Sequence, residues 1–447
     1  MYYDLTKGNI SKSLILFTIP MMAGNLLQQF YNIADTLIVG RVLGKNALAA
    51  VGSAYTIMTF LTSIFIGLSM GAGALFSMYR GRADEDSFKI ATIHAFVMIL
   101  AATVLLNIVV YVFMDPILAF LRVPQEVWQD MRAYLWIIYG GLVATSVYNF
   151  FACLLRAVGN SGTPLVFLAV SSVMNIGLDL LLILVFHMGI QGAALATVIA
   201  QYVAALGILL YMVTRGRKLM PAREHWHFRK DILKEILNLS TLTCLQQSVM
   251  NFGILLVQGL VNSFGAVVMA AFAAAVKIDT FAYLPVQDFG NAFSTFVAQN
   301  YGARNTERIR KGTRSAFGLS ICFSAIISAL VCLLATPLMK IFISAKESGV
   351  IACGVKYLRI EGACYVGIGC LFLLYGYYRG IKKAEMSLVL TVISLGLRVV
   401  LAYLLAPWIG ETGIWMAIPI GWVIADAVGL IYMKRHDTSL LHRSTTI

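Results

Sequence analysis

Long apolar runs alternate with short polar segments from one end of the chain to the other. The runs fall at roughly 13–40, 48–78, 90–114, 133–155, 163–186, 190–213, 236–262, 267–299, 315–339, 353–378, 386–408 and 413–433. Each is long enough to cross a hydrocarbon core of about 30 Å as a helix, which takes about 20 residues. No water in that core can satisfy an open backbone, so the runs predict twelve transmembrane helices and an all-α integral membrane fold.

The pattern also repeats. At an offset of 221 residues the chain pairs Gly44 with Gly265, Ala49 with Ala270, Ala54 with Ala275, Ile57 with Ile278, Thr59 with Thr280, Phe60 with Phe281, Gly81 with Gly302 and Phe96 with Phe317. Gly192/Gly413 and Ala196/Ala417 keep that offset, and Tyr134/Tyr357, Leu135/Leu358 and Arg156/Arg379 follow at 223. Two copies of one unit, six spans each, predict two six-helix lobes. An even number of spans brings both copies in from the same side, so their pseudo-twofold axis lies along the membrane normal. Repeated halves in a membrane protein point to a transporter with its path between them. The expected organisation is an amino-terminal lobe over 1–214, a basic linker over 215–232, a carboxyl-terminal lobe over 233–433 and a tail over 434–447.

Composition agrees: 60% of the 447 residues are hydrophobic and 12% charged, with a mean hydropathy of +0.82, outside the range of soluble domains. Lys7 and Lys12 ahead of the first run look like the start of a signal peptide. The run is too long for an h-region and carries Asp35, so it reads as the first span. If the amino terminus is cytoplasmic, 24 of the 34 Lys and Arg residues fall inside and eight outside, the positive-inside pattern that puts both termini in the cytoplasm of a cell (inner) membrane. The net charge of +13 is then topology and contact with membrane lipids, not a nucleic-acid footprint. Its densest part, Arg215 to Lys234, joins the halves. The seven cysteines lie in or beside apolar spans without paired spacing and read as small buried side chains, with no disulfide. No metal role is assigned to His225 and His227, which flank Trp226. A monomer is the expected state.

Six of the 21 acidic residues sit within or at the edge of a span: Asp35, Asp179, Asp279, Asp288, Glu361 and Asp426. A carboxylate in hydrocarbon is costly unless paired, hydrated or protonated, so each must face protein or a wet cavity. In the first span Gln28, Asn32 and Asp35 fall at i, i+4 and i+7, one stripe of a helix; Asn175 and Asp179 share a face of span five, and span six carries Thr197. Two carboxylates, an amide and a hydroxyl can hold a hard cation such as Na⁺ or share a proton. A static hydrogen-bond network is the other reading.

The second half differs. Span seven offers Gln247, Asn251 and Gln258 but no carboxylate, and span eight has Lys277, Asp279 and Asp288. Lys277 and Asp288 are eleven residues apart and share a face. Arg398 in span eleven needs an anionic partner, Asp279 or Glu361. These residues, with Gln28 and Asn32, are candidates for lining the substrate cavity; an interhelical charge network is an equal reading for the charged ones. Pro20, early in span one, removes a backbone bond and is either a passive kink or a hinge.

The run Asp35-Thr36-Leu37-Ile38-Val39-Gly40 with Gly44 and Ala49-Ala50, the stretch Lys277-Ile278-Asp279-Thr280 leading to Leu284-Pro285, Leu155 to Asn160, and Gln299 to Asn305 resemble the multidrug and toxic compound extrusion family. The resemblance spans essentially the whole chain. It implies two six-helix lobes in a V around a cavity that opens alternately to either side. The implied activity is antiport: export of small organic compounds, often cationic or amphipathic, in exchange for Na⁺ or H⁺. It further implies a cation site at Asp35, Asn175, Asp179 and Thr197, with Pro20 as the proline of a bending first helix. One branch of that family also uses a span-seven carboxylate, which this chain lacks.

Two other functions compete. A flippase for lipid-linked saccharides or another amphipathic lipid, from the same superfamily, favours an arginine-lined groove, whereas away from the span ends only Lys277 and Arg398 are basic. An integral-membrane enzyme needs a paired nucleophile and base, metal-spaced histidines or a nucleotide loop, and the sequence offers none of these. No cofactor is expected beyond the coupling ion.

Overall fold

The computed structural model of the chain describes residues 3–120, 123 and 125–443. Arg122, one of the outward charges, and the last four residues of the expected tail lie outside them. Among the described residues there is no strand, and eleven helices are long and apolar enough to cross a membrane; a bent helix pair supplies the twelfth span. In the first half the spans are α1 Ile10–Val42, α2 Lys45–Gly81, α3 Glu85–Val112, α4 Gln125–Ala157, α5 Gly162–Val185 and α6 Gly189–Thr214. The second half has α7 Lys230–Asn262, α8 Ala266–Gly302, α9 Thr306–Phe342, α10 as Ser348–Gly362 plus Tyr365–Gly380, α11 Ala384–Ile409 and α12 Glu411–Arg443. The two parts of α10 meet at 50°.

The backbone carries the repeat as clearly as the side chains do. Eight of the ten left-handed residues among the described ones pair at the repeat offsets: Gly44 (φ 87°) with Gly265 (89°), Ala83 (57°) with Arg304 (55°), Gly189 (61°) with Gly410 (63°), and Gly159 (86°) with Lys382 (62°). Each pair closes the same connection in the two halves. After the Ala83 and Arg304 turns, Asp84 and Asn305 cap the next helix, accepting from the backbone N–H of Ser87 (3.0 Å) and Arg308 (3.1 Å). The local sequences differ, but the turn geometry is the same.

Packing divides the chain into two compact units, one built from Tyr3 and Ile19–Cys244, the other from Asp4–Thr18 and Leu245 onward. This departs from a division at 214 and 233. The first two turns of α1 pack in the second unit and the first half of α7 in the first, so each unit borrows the beginning of the other's opening helix.

In the first unit the borrowed stretch is admitted by Gly67 and Gly71 on α2. A Cβ at Gly67 would lie 2.5 Å from Cys244 Cα, and one at Gly71 would lie 2.5 Å from both the Leu239 carbonyl oxygen and Ser240 Cα. This is a small-xxx-small crossing, in which two backbones approach because no side chain separates them. In the second unit Leu5, Leu14 and Phe17 are fully buried. There the Arg308 guanidinium donates to the carbonyls of Leu5 (3.1 Å), Lys7 (2.6 Å) and Gly8 (2.9 Å), and Asn300 Nδ2 donates to Leu5 (3.1 Å). Of the seven cysteines only Cys153 is buried; Cys322 is exposed and the rest are half-buried, so burial of all of them does not hold.

Candidate functional site

Within the first unit α1 and α5 bring two acids together. Asp35 is 9% exposed and Asp179 fully buried, and their carboxyls stand within hydrogen-bond reach of each other. Asp179 closes the regular part of α5, and the next six residues, Leu180–Val185, run as a π-helical turn. Such turns often mark functional sites, because the widened backbone re-aims the side chains beside it. One turn earlier Asn175 Nδ2 donates to Thr197 Oγ1 on α6 (3.3 Å), and that hydroxyl donates to the Ala193 carbonyl (3.1 Å).

The remaining oxygens have no donor. Asp35 Oδ1, Asn175 Oδ1 and both carboxyl oxygens of Asp179 are buried without a hydrogen-bond partner. A buried acceptor left unpaired costs about 1–3 kcal/mol, more when charged, and two adjacent carboxylates repel in addition. A proton shared between the acids relieves this, and so does a hard cation bound by oxygen alone. The donor set fits either one. Among the described residues no group of three or more His, Cys, Asp or Glu side chains is placed to hold a metal. Thr197→Val keeps the shape but removes the acceptor that orients the Asn175 amide; we expect a half-saturating ion concentration raised about fivefold, from about 1 kcal/mol lost, measured by ion titration of export.

Two tyrosines complete the surroundings and were missed in the sequence. Tyr31, which has the Gln28 side chain beside it, and the buried Tyr134 lie within electrostatic range of both acids. The signal was present: Tyr31 stands one turn before Asp35, and Tyr134 belongs to the repeat. Asn32, from the same stripe, is half-buried, and its carbonyl accepts the Thr36 hydroxyl at 2.7 Å.

The second unit holds a different acid cluster. Asp279 on α8 accepts from Tyr357 (2.6 Å) and from Tyr365, and Glu361 lies within hydrogen-bond reach. Tyr357 and Glu361 share a face of the first part of α10, and the bend after Gly362 presents Tyr365 from the second part. Asp279 and Glu361 are 2% and 6% exposed, inside the bundle of this unit. Arg398 makes no ion pair with either acid among the described residues, and its Nε is without a partner. Arg398 still lies within electrostatic range of both Asp279 and Glu361, while the contacts of Asp279 are made by the two tyrosine hydroxyls.

Lys277 and Asp288 also diverge: the lysine is exposed, the aspartate buried. Between them Pro285 intervenes, and beyond it α8 lies tightly on α10, where a Cβ at Gly290 would meet the Phe372 carbonyl oxygen at 2.7 Å. Along α7, Asn251 Nδ2 donates to the Gln247 carbonyl (3.1 Å) and Gln258 Nε2 to Asn262 Oδ1 (2.8 Å), so these amides are engaged within their own helix. Pro20 lies inside an α1 that stays helical from Ile10 to Val42.

A duplicated bundle of twelve apolar spans, with an ionisable oxygen site buried in one half, defines a membrane transporter. Comparison with known proteins supplies its family: the MatE family pattern matches residues 20–181 and again residues 243–404, once per repeat. The chain belongs to the MatE family. It is 31% identical over 434 residues to the probable multidrug resistance protein YpnP of Bacillus subtilis, covering 97% of this chain and 96% of that one. It is also 24% identical to the probable multidrug resistance protein NorM of Thermotoga maritima, covering 94% and 90%. Its fold matches a solved multidrug resistance MATE transporter of the MOP superfamily in the outward-facing conformation with a TM-score of 0.92, at 23% identity over 98% of both chains.

Proposed function

We propose that this transporter is a secondary antiporter. It exports small organic compounds, often cationic or amphipathic, in exchange for Na⁺ or H⁺ bound at Asp35, Asn175, Asp179 and Thr197. The observation that carries the reading is the set of buried, donor-free oxygens on Asp35, Asn175 and Asp179. Export of drugs is supported by the likeness to probable multidrug resistance proteins, and a cytoplasmic side for both termini is supported by the distribution of basic residues.

The physical cycle follows from charge. With an ion or proton in place, α1 and α5 carry no net repulsion and pack closely. When it leaves, two like charges face each other in a low-dielectric interior, and the helices separate. Asp35 lies fifteen residues beyond Pro20, about 22 Å along the helix, so a small change of angle at the proline moves the acid by several ångströms. Converting that movement into exchange of access between two faces is the task of the two lobes.

The deciding experiment drives dye export from everted vesicles with an imposed pH gradient and, separately, with an imposed Na⁺ gradient. Export driven by one of them and abolished by the matching ionophore supports antiport. Export that ignores both gradients overturns it.

A further inference from the structure

The segment joining the two halves carries two of the most exposed aromatic side chains in the protein, Trp226 (68%) and Phe228 (70%). The segment itself is fixed. His225 is buried, with Nε2 3.4 Å from Asp86 Oδ1 at the start of α3, and its Nδ1 meets the Ala222 backbone. The Arg229 backbone N–H donates to His94 Nε2 at 3.3 Å, while the other ring nitrogen of His94 is 2.8 Å from the Ile90 carbonyl. The Phe228 ring packs on the His94 ring at 5.6 Å.

His94 is nine residues beyond the start of α3, about 14 Å along it. The last charged residue of that helix is Lys89. From His94 onward one stripe of the helix runs through Val97, Ala101, Leu105 and Ile108, all of them exposed although apolar. On a span of such hydropathy this is the lipid-facing side. The linker is therefore pinned to the outer flank of α3 at the level where its contact with lipid begins.

Exposed basic residues stand at this place. Asp86 and Glu224 both face His225, and Asp231 is paired with Arg229. Arg223, Lys230 and Lys234 are exposed, and none has an ion pair among the described residues. Amphipathic aromatic rings concentrate at the membrane–water interface, and basic residues beside them attract anionic headgroups.

We infer that Trp226 and Phe228 anchor the linker in the headgroup region of the bilayer, where Arg223, Lys230 and Lys234 engage anionic phospholipid. The anchor ties the covalent connection between the repeats to the plane of the membrane. It rests on the spans and the linker geometry and is independent of the coupling ion.

The test reconstitutes the full-length protein in phosphatidylcholine vesicles with or without phosphatidylglycerol. The lipids are brominated near the headgroup or near the acyl terminus. The fluorescence component that disappears in Trp226→Tyr should be quenched by shallow bromines, weakly by deep ones, and shielded from aqueous iodide. Replacing Arg223, Lys230 and Lys234 with glutamine should lower the preference for phosphatidylglycerol by about fivefold per residue, at about 1 kcal/mol each. Both variants change exposed side chains only, and an unchanged melting temperature confirms that they fold. Free quenching by iodide with none by brominated lipid overturns the anchor. Shielding that rises with protein concentration at fixed lipid also overturns it, showing a second copy as the occupant.

Discussion

Asp35→Asn is expected to insert and fold normally, or more stably, and to lose ion-driven export down to background. The carboxamide is nearly the shape of the acid but brings N–H donors to a place where Asp179 offers two unpartnered buried oxygens. A new hydrogen bond to a charged acceptor stabilises by about 1.5–3 kcal/mol, so the melting temperature should hold or rise. The donor stands permanently where the proton or cation comes and goes, and the site can no longer cycle. Asp179→Asn should behave alike, and the double substitution should cost no more export than either single one, because the two acids act as one unit. Vesicle export under the driving gradient, with thermal melting on the same preparations, measures both effects. Wild-type export would refute the assignment, and lost export with a collapsed melting temperature would mark the acids as a structural network.

The largest effect on folding is expected at Gly71. Valine there places a branched side chain against the backbone of Leu239 and Ser240, which already lie within 2.5 Å of where its first carbon would go. Neither backbone is a flexible end that can move aside. Overpacking costs typically 1–3 kcal/mol, and against backbone we expect about 3 kcal/mol or more. That is a large share of the total stability of a folded protein, so the variant should accumulate poorly and melt early. Gly52 on the same helix has nothing within 4 Å of its would-be Cβ. Gly52→Ala should therefore be harmless or mildly stabilising through helix propensity, about 0.5–1 kcal/mol. Equal behaviour of the two variants in expression and melting would show that the close crossing does not hold the unit together.

Much of this architecture was legible because it rests on periodicity. Span length follows from hydropathy, the repeat from identical residues at fixed offsets, and the stripe from Gln28 to Asp35 from helical spacing. The grouping of Asp35, Asn175, Asp179 and Thr197 needed more. Spacing places residues on one face of one helix but does not say which faces meet, and family resemblance filled that gap.

The parts that stayed hidden depend on neighbours distant in sequence. Lys277 and Asp288 have the same angular position on α8 and opposite surroundings, since at Lys277 that face is exposed and beyond Pro285 it is covered. Arg398 can be matched to Asp279 or Glu361 because charge is visible in a sequence, and it lies within electrostatic range of both; the two tyrosine hydroxyls that bond Asp279 are not visible in that way. The bend in α10 has no proline to announce it, and nothing in the residues after Asp179 signals a π-helical turn. The extent of each packing unit was likewise unreadable, because the opening turns of α1 and α7 continue their helices without a break and nothing in them says which neighbours they meet.

That exchange of opening turns bears on how the protein is made. Asn300, Arg308 and Ser315, to which residues 4–18 are bonded, are synthesised roughly three hundred residues after them. The first unit, by contrast, closes only when Leu239 to Cys244 arrive to fill the crossing on α2. Neither half is a finished object when its own six helices have been translated. Residues 4–18 must wait for those partners, so a cut in the linker would yield two partners that need each other and not two independent domains.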